Sequence, residues 1–216
     1  MKILNLYAGI GGNRKLWGDE HEITSVELEE DIANVYKENF PNDTVVITDA
    51  HQYLLDHYYM FDFIWSSPPC QTHSKMIISG RNRTPRYIDL KLYQEIIFLQ
   101  THFSGKWIVE NVKPYYTPLI TPKKEVGRHL FWSNFNIGNF EVENIKGFIT
   151  NGTVAEAEKM KQWLGIHYNG SIYYKKNHDP CQILRNCVHP KTGEYILDTA
   201  MGIVRKQNEK QIDLFL

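Results

Sequence analysis

The order of apolar segments along this chain predicts an α/β fold with a parallel sheet covered on both faces. Three observations predict it. Short strand-like runs alternate with segments of helical spacing. A glycine-rich turn, Leu6-Tyr7-Ala8-Gly9-Ile10-Gly11-Gly12, follows the first run directly. Gly9, Glu27, Asp49, Cys70 and Glu110 all fall at or just beyond the ends of expected strands. That carboxyl edge is where such sheets bind ligands.

Residues 3–7 form a short apolar strand leading into the glycine turn, and a helix is expected to start over 13–17. Residues 23–27 read as the second strand, and 30–39 as a helix with Ile32, Val35 and Tyr36 on one face. Pro41-Asn42-Asp43 is a turn, and the β-branched run 44–47 is a third strand with Asp49 at its end. Residues 61–65 form the next strand and run into Ser66-Ser67-Pro68-Pro69. Helical spacing over 87–102 comes from Ile88, Leu92, Ile96, Ile97 and Leu99, and 106–109 is another buried strand. Beyond Phe131-Trp132 the pattern weakens. Residues 133–153 read as short strands and turns, 154–163 as a helix, and 164–179 as a loop with a Tyr-rich stretch. No internal repeat or low-complexity linker interrupts the chain.

The 216 residues suit one domain, or one domain with a small appendage. A hydrophobic fraction of 42% and an aromatic fraction of 13% fit a globular core. No apolar run is long enough to span a bilayer, and the opening residues carry no signal-peptide pattern. Three cysteines, an odd number, argue for a reducing, cytoplasmic setting. With a formal net charge of -1, any nucleic-acid contact has to be local. Lys75, Arg81, Arg83, Arg86 and Lys91 make one basic stretch, with Asp89 its only acid. Lys113, Lys123, Lys124 and Arg128 make a second. Both stretches flank the chemically distinctive residues, although solvated loops would have the same composition.

Those residues are Ser66-Ser67-Pro68-Pro69-Cys70-Gln71 and Val109-Glu110-Asn111-Val112. Two prolines fix the backbone ahead of Cys70. A thiol there needs nearby positive charge, amides or helix ends to favour its thiolate. Glu110 closes an apolar strand, a setting that raises a carboxyl pKa and lets the group donate a proton. Together they supply a nucleophile for C6 of a pyrimidine and an acid for its N3. His178, Cys181, Cys187 and His189 are residue types that zinc takes. Their spacing matches no common zinc module, so no metal is expected. The chain also has no Pro-Cys-x-x-Cys of a zinc deaminase.

The glycine turn, the Pro-Pro-Cys block and the Glu-Asn-Val block, in this order, resemble the cytosine-C5 DNA methyltransferases. The block around Cys70 is the most specific part of the resemblance, which runs through most of the chain. It implies a Rossmann-like, S-adenosylmethionine-dependent sheet. Tyr7, Ala8, Gly9, Gly11 and Gly12 would surround the amino-acid end of the cofactor. Glu27, with Leu28, would hold the ribose, and Asp49, with Ala50, would read the adenine. Pro68, Leu92, Asn186 and Val188 complete the expected cofactor contacts. The last two belong to Leu184-Arg185-Asn186-Cys187-Val188-His189-Pro190, which resembles the family's closing Gly-Asn-Ala-Val-Pro motif.

The resemblance makes Cys70 the nucleophile and Glu110 the acid. Arg128 is the catalytic cation, although Gly127-Arg128-His129 matches the family's Arg-x-Arg pair imperfectly and His129 is an alternative. Residues 71–86 resemble a mobile catalytic loop, with Ser74, Lys75, Arg81, Arg83 and Arg86 on DNA. The partner implied is double-stranded DNA with a flipped cytosine, in DNA methylation or a restriction-modification setting. An RNA substrate, or a cofactor-binding module without turnover, is the alternative. The expected organisation is a catalytic domain over 1–132, a reduced target-recognition region over 133–162, a returning segment over 163–204 and a tail over 205–216. A region of about thirty residues is smaller than an ordinary domain. This makes the chain look like the compact enzymes of phages and mobile elements, acting as a monomer. The end of the chain, Gln211-Ile212-Asp213-Leu214-Phe215-Leu216, resembles a bacterial sliding-clamp binding peptide, and a final strand of the protein's own sheet is the competing reading.

Overall fold

The computed structural model describes residues 1–78, 84–140, 152–174 and 178–203. Arg81, Arg83, residues 141–151 of the expected recognition region and the clamp-like peptide from Gln211 to Leu216 lie outside the described residues. Among the described residues, seven strands form one sheet in the order β3-β2-β1-β4-β5-β7-β6. They are β1 (Lys2–Leu6), β2 (Glu22–Glu27), β3 (Thr44–Ile47), β4 (Phe63–Ser66), β5 (Lys106–Val112), β6 (Lys124–Val126) and β7 (His129–Ser133). The first five are parallel, whereas β7 runs antiparallel to both β5 and β6. The sheet is therefore mixed rather than wholly parallel. The start of β7 reaches the same edge as the end of β5, since Val112 pairs with His129.

Strand alternation sorts the core into two layers. Leu4, Leu6, Ile64, Val109 and Trp132 pack under α2 (Ala50–His57) and α3 (Lys91–His102). Ile3, Phe63, Trp65, Ile108 and Phe131 face the other side, against Trp17 and α6 (Pro190–Ala200). A third cluster joins α1 (Glu30–Asn39) to α4 (Val154–Leu164) and α5 (Gln182–Arg185) through Ile32, Val35, Ala157, Met160, Leu164, Ile183 and Leu184. Helix α4, read above as part of the recognition region, thus packs into the main body.

Local chemistry sets the helix ends. Asp49 caps α2 by accepting from Gln52 N. Thr153 and Glu156 form a capping box on α4, which stops at Gly165 in the left-handed conformation (φ 62°). Pro190 opens α6 behind a His189 cap. Two expectations fail. Residues 13–17 form successive turns instead of a helix, because Gly11 N, Arg14 N and Trp17 N each bond back three residues. Asn13 spends its side chain on Asn5, and Arg14 on Asp43. Helix α3 begins at Lys91 rather than near 87, because Asp89 N donates to Thr72 Oγ1 and Tyr87 stands fully in solvent (99% exposed). Among the described residues no helix is long and apolar enough to cross a membrane.

Candidate active site

The carboxyl edge of the sheet opens into one cavity, and every parallel strand places its final residue or one of the next few on its wall, β3 doing so at Asp49. After β1, Gly9 has φ 55°, and the space a Cβ would fill beside it is open. Its amide donates to Glu27 Oε2 (2.9 Å), while Leu28 N and Glu29 N donate to Glu27 Oε1 (2.9 and 3.0 Å). Burial pushes the Glu27 carboxyl up, and the three amides pull it back. Each carboxylate oxygen has two lone-pair sites, so Oε2 keeps one for a ligand hydroxyl. Asp49 is held below the ordinary carboxylate range by the Gln52 amide, with Lys91 Nζ at 3.7 Å.

Tyr7, Ala8, Gly9, Gly12, Glu27, Leu28, Asp49, Ala50, Pro68, Asn186 and Val188 all line the cavity. Two of the expected cofactor contacts do not. Gly11 instead faces Phe40, where a Cβ would lie 2.2 Å from the ring. Leu92 points into the α3 core, since the cavity side of that helix start is occupied by Asp89 and Lys91.

Cys70 lines the same cavity, half-buried, and its carbonyl accepts from His73 N and Ser74 N (3.0 Å each). Burial and then the Glu110 charge push its thiol up, and Arg128 only partly offsets this. The expected surround that favours the thiolate is therefore not what the cavity provides, because desolvation outweighs one guanidinium. Glu110, buried at the end of β5, receives His129 Nδ1 at 2.5 Å. Arg128 lies near enough for the charges of Glu110 and Cys70 to act on it, and its Nη2 donates to the Arg185 carbonyl. Glu110 is thus held by His129, the alternative to Arg128.

Ser74 sits in a bridge to Pro114, and its Oγ accepts from Met76 N, while Lys75 and Arg86 are exposed. Sequence reasoning gave no role to Asn111. Its Nδ2 donates to the Pro68 carbonyl (2.8 Å), tying the two motifs together. A buried Asn next to Glu110, forty-three residues from its partner, was visible only as part of the motif. Arg185 and Cys187 also line the cavity and were not expected to. The donor set fits a cofactor with ribose hydroxyls and an amine-bearing base, as the open cradle at Gly9 does.

Comparison with known proteins places the fold first. A methyltransferase of Entamoeba histolytica, EhMeth, superposes with a TM-score of 0.52 at 10% identity, over 95% of this chain and 99% of that chain. The fold is the Rossmann-like α/β fold of the methyltransferases. The family profile of the C-5 cytosine-specific DNA methylases matches residues 1–130. The chain belongs to that family. The tRNA (cytosine(38)-C(5))-methyltransferase of Mus musculus is 25% identical over 53% of this chain and 29% of its own length. The Rattus norvegicus protein of the same name is 27% identical over 53% of this chain and 31% of its own. The chain spans about a third of the length of these relatives. The Spodoptera frugiperda DNMT2 structure is 30% identical, covering 52% of this chain and 35% of that chain, with a TM-score of 0.37.

Proposed function

We propose that this protein methylates C5 of cytosine in double-stranded DNA, with S-adenosylmethionine as donor. One observation carries the reading: Cys70, Glu110 and the Gly9–Glu27 turn share the wall of a single cavity. Glu27 and Asp49 would hold the ribose and adenine, and Asn186 and Val188 would close over them. When bound, the cofactor would supply an electrophilic methyl group.

The chain's own residues do the rest. A target cytosine swings out of the duplex, at a cost of a few kcal/mol, and enters between Cys70 and Glu110. The Cys70 thiolate forms a bond to C6, and the electron pair displaced from the C5–C6 double bond moves toward N3. Glu110, held by His129, hydrogen-bonds N3 and stabilises that charge. C5 becomes nucleophilic and takes the methyl group. Loss of the C5 proton to a base and departure of the Cys70 thiolate restore the ring.

The names of the tRNA methyltransferase relatives favour a second reading, in which the cytosine belongs to RNA. A duplex carrying 5-fluorocytosine should trap a denaturation-resistant adduct in the presence of cofactor, and Cys70→Ala should give none. Tritiated methyl transfer to tRNA but not to duplex DNA would replace the DNA reading. Transfer by Cys70→Ala would refute the mechanism.

A further inference from the structure

Helix α3 buries a carboxylate that the proposed reaction leaves unused. Glu95 is 0% exposed and stands among Leu92, Ile96 and Leu99. A charge in such a place is tolerated only where donors meet its oxygens. Three do. Oε1 receives the Tyr7 hydroxyl at 2.6 Å and His51 Nδ1 at 3.0 Å, and Oε2 receives the Ser66 hydroxyl at 2.5 Å.

The three donors come from three separate segments, each of which contributes residues to the cavity wall. Tyr7 opens the glycine turn and lines the cavity. His51 is in the first turn of α2, just after the cavity residues Asp49 and Ala50. Ser66 ends β4, immediately before the Ser67-Pro68-Pro69-Cys70 wall. Tyr7 also has φ 55°, a conformation that residues other than glycine keep only where the surroundings impose it. Its ring is fastened at the far end by Glu95, and burial and that carboxylate keep the phenol protonated.

We propose that Glu95 is a positioning residue, which locks the glycine turn, the start of α2 and the cysteine-bearing loop in register and so sets the cavity's affinity for its cofactor. The inference rests on the cavity being the cofactor site. Glu95 does not line the cavity itself, so it acts through Tyr7, His51 and Ser66. The bond to Glu95 holds the His51 imidazole above its ordinary range, against burial and against Lys91 of α3, with Asp49 adding to the rise. His51 therefore reports on the network independently of any ligand. Its charged form contributes fully below the unfolded value, and the contribution is lost as pH rises through the higher folded value.

The test uses Glu95→Gln, which keeps the shape and removes the charge, with S-adenosylhomocysteine as the calorimetric probe. Loosening the three segments that Glu95 holds should weaken binding of the probe by about tenfold. The variant should melt within a few degrees of the parent, and NMR should show the His51 titration moving to lower pH. A general loss of structure would lower the melting point and the affinity together. Tyr7→Phe, which removes one bond and keeps the ring, should weaken the probe by roughly fivefold. It decides the matter if Glu95→Gln does not fold. Parental affinity in the folded variants, with an unmoved His51 titration, overturns the proposal. If the parent protein does not bind the probe at all while His51 shifts as expected, the cofactor reading fails and the network stands.

Discussion

Burial and the Glu110 carboxylate push the Cys70 thiol up, and Arg128 pulls it down. Two single substitutions should therefore move it in opposite directions. Glu110→Gln removes the repulsion, and Cys70 should react with iodoacetamide at lower pH than in the parent even though methyl transfer is lost. Arg128→Gln removes the attraction of the neighbouring guanidinium, and the same alkylation should need higher pH. The parent midpoint should lie above the roughly 8.5 of an ordinary thiol. An unmoved midpoint in both variants would mean that burial alone sets the thiol and that neither charge reaches it. The sign also constrains the reaction: methyl transfer should rise with pH toward the Cys70 midpoint, because the thiolate is the attacking form.

At the scale of elements, α6 meets the turn after β1 at closest range. A Cβ on Gly193 would lie 2.0 Å from the Asn13 carbonyl oxygen, and one on Gly12 would lie 2.6 Å from the Val188 carbonyl. Backbone cannot yield as a flexible side chain does. Gly193→Ala should cost about 1–3 kcal/mol or more by overpacking, a drop of roughly 2–4 °C per kcal/mol in a chain of this size. A scanning calorimeter checks it, and an unchanged melting point would mean that α6 docks elsewhere. This contact shows why the elements were unequally legible. Helix α1 and strand β3 were read at their observed bounds, because apolar spacing and a β-branched run are local signals. The turns at 13–17 were not, since Asn13 is claimed by Asn5 of β1 and Arg14 by Asp43, twenty-nine residues on, beyond the reach of a local helical pattern. Cys70 and Glu110 were legible because a parallel sheet delivers its strand ends to one edge. The hold of His129 on Glu110 required the antiparallel register of β7, and the role of Glu95 required three long-range partners.

For the whole molecule, attraction to a polyanion has to come from a few unneutralised cations, because 24 Lys and Arg stand against 25 Asp and Glu. Several of the cations are already engaged. Arg14 pairs with Asp43, Lys91 with Asp49, Lys113 with Glu125, Lys161 with Glu158 and Arg185 with Asp179. Lys75 and Arg86 have no acidic partner among the described residues, and both are exposed in the segment that follows Cys70. That segment is pinned to the chain after β5: Ser74 bridges Pro114, His73 Nδ1 meets the Tyr116 hydroxyl at 2.6 Å, and the Tyr115 hydroxyl donates to the Arg86 carbonyl. In the chain the two cations stand between the cavity residues Cys70 and Gln71 on one side and Asp89 and Lys91 on the other. Contacts of this kind release counterions and carry no sequence information. Replacing both Lys75 and Arg86 with alanine should weaken binding to every duplex by a similar factor. It should also flatten the slope of log affinity against log salt by about 1.8, or about 0.9 per lost contact on double-stranded DNA. Fluorescence anisotropy between 50 and 200 mM salt, roughly the range over which such contacts are felt, measures both quantities. A loss confined to certain sequences, with the salt slope unchanged, would assign these residues to base edges instead of phosphates.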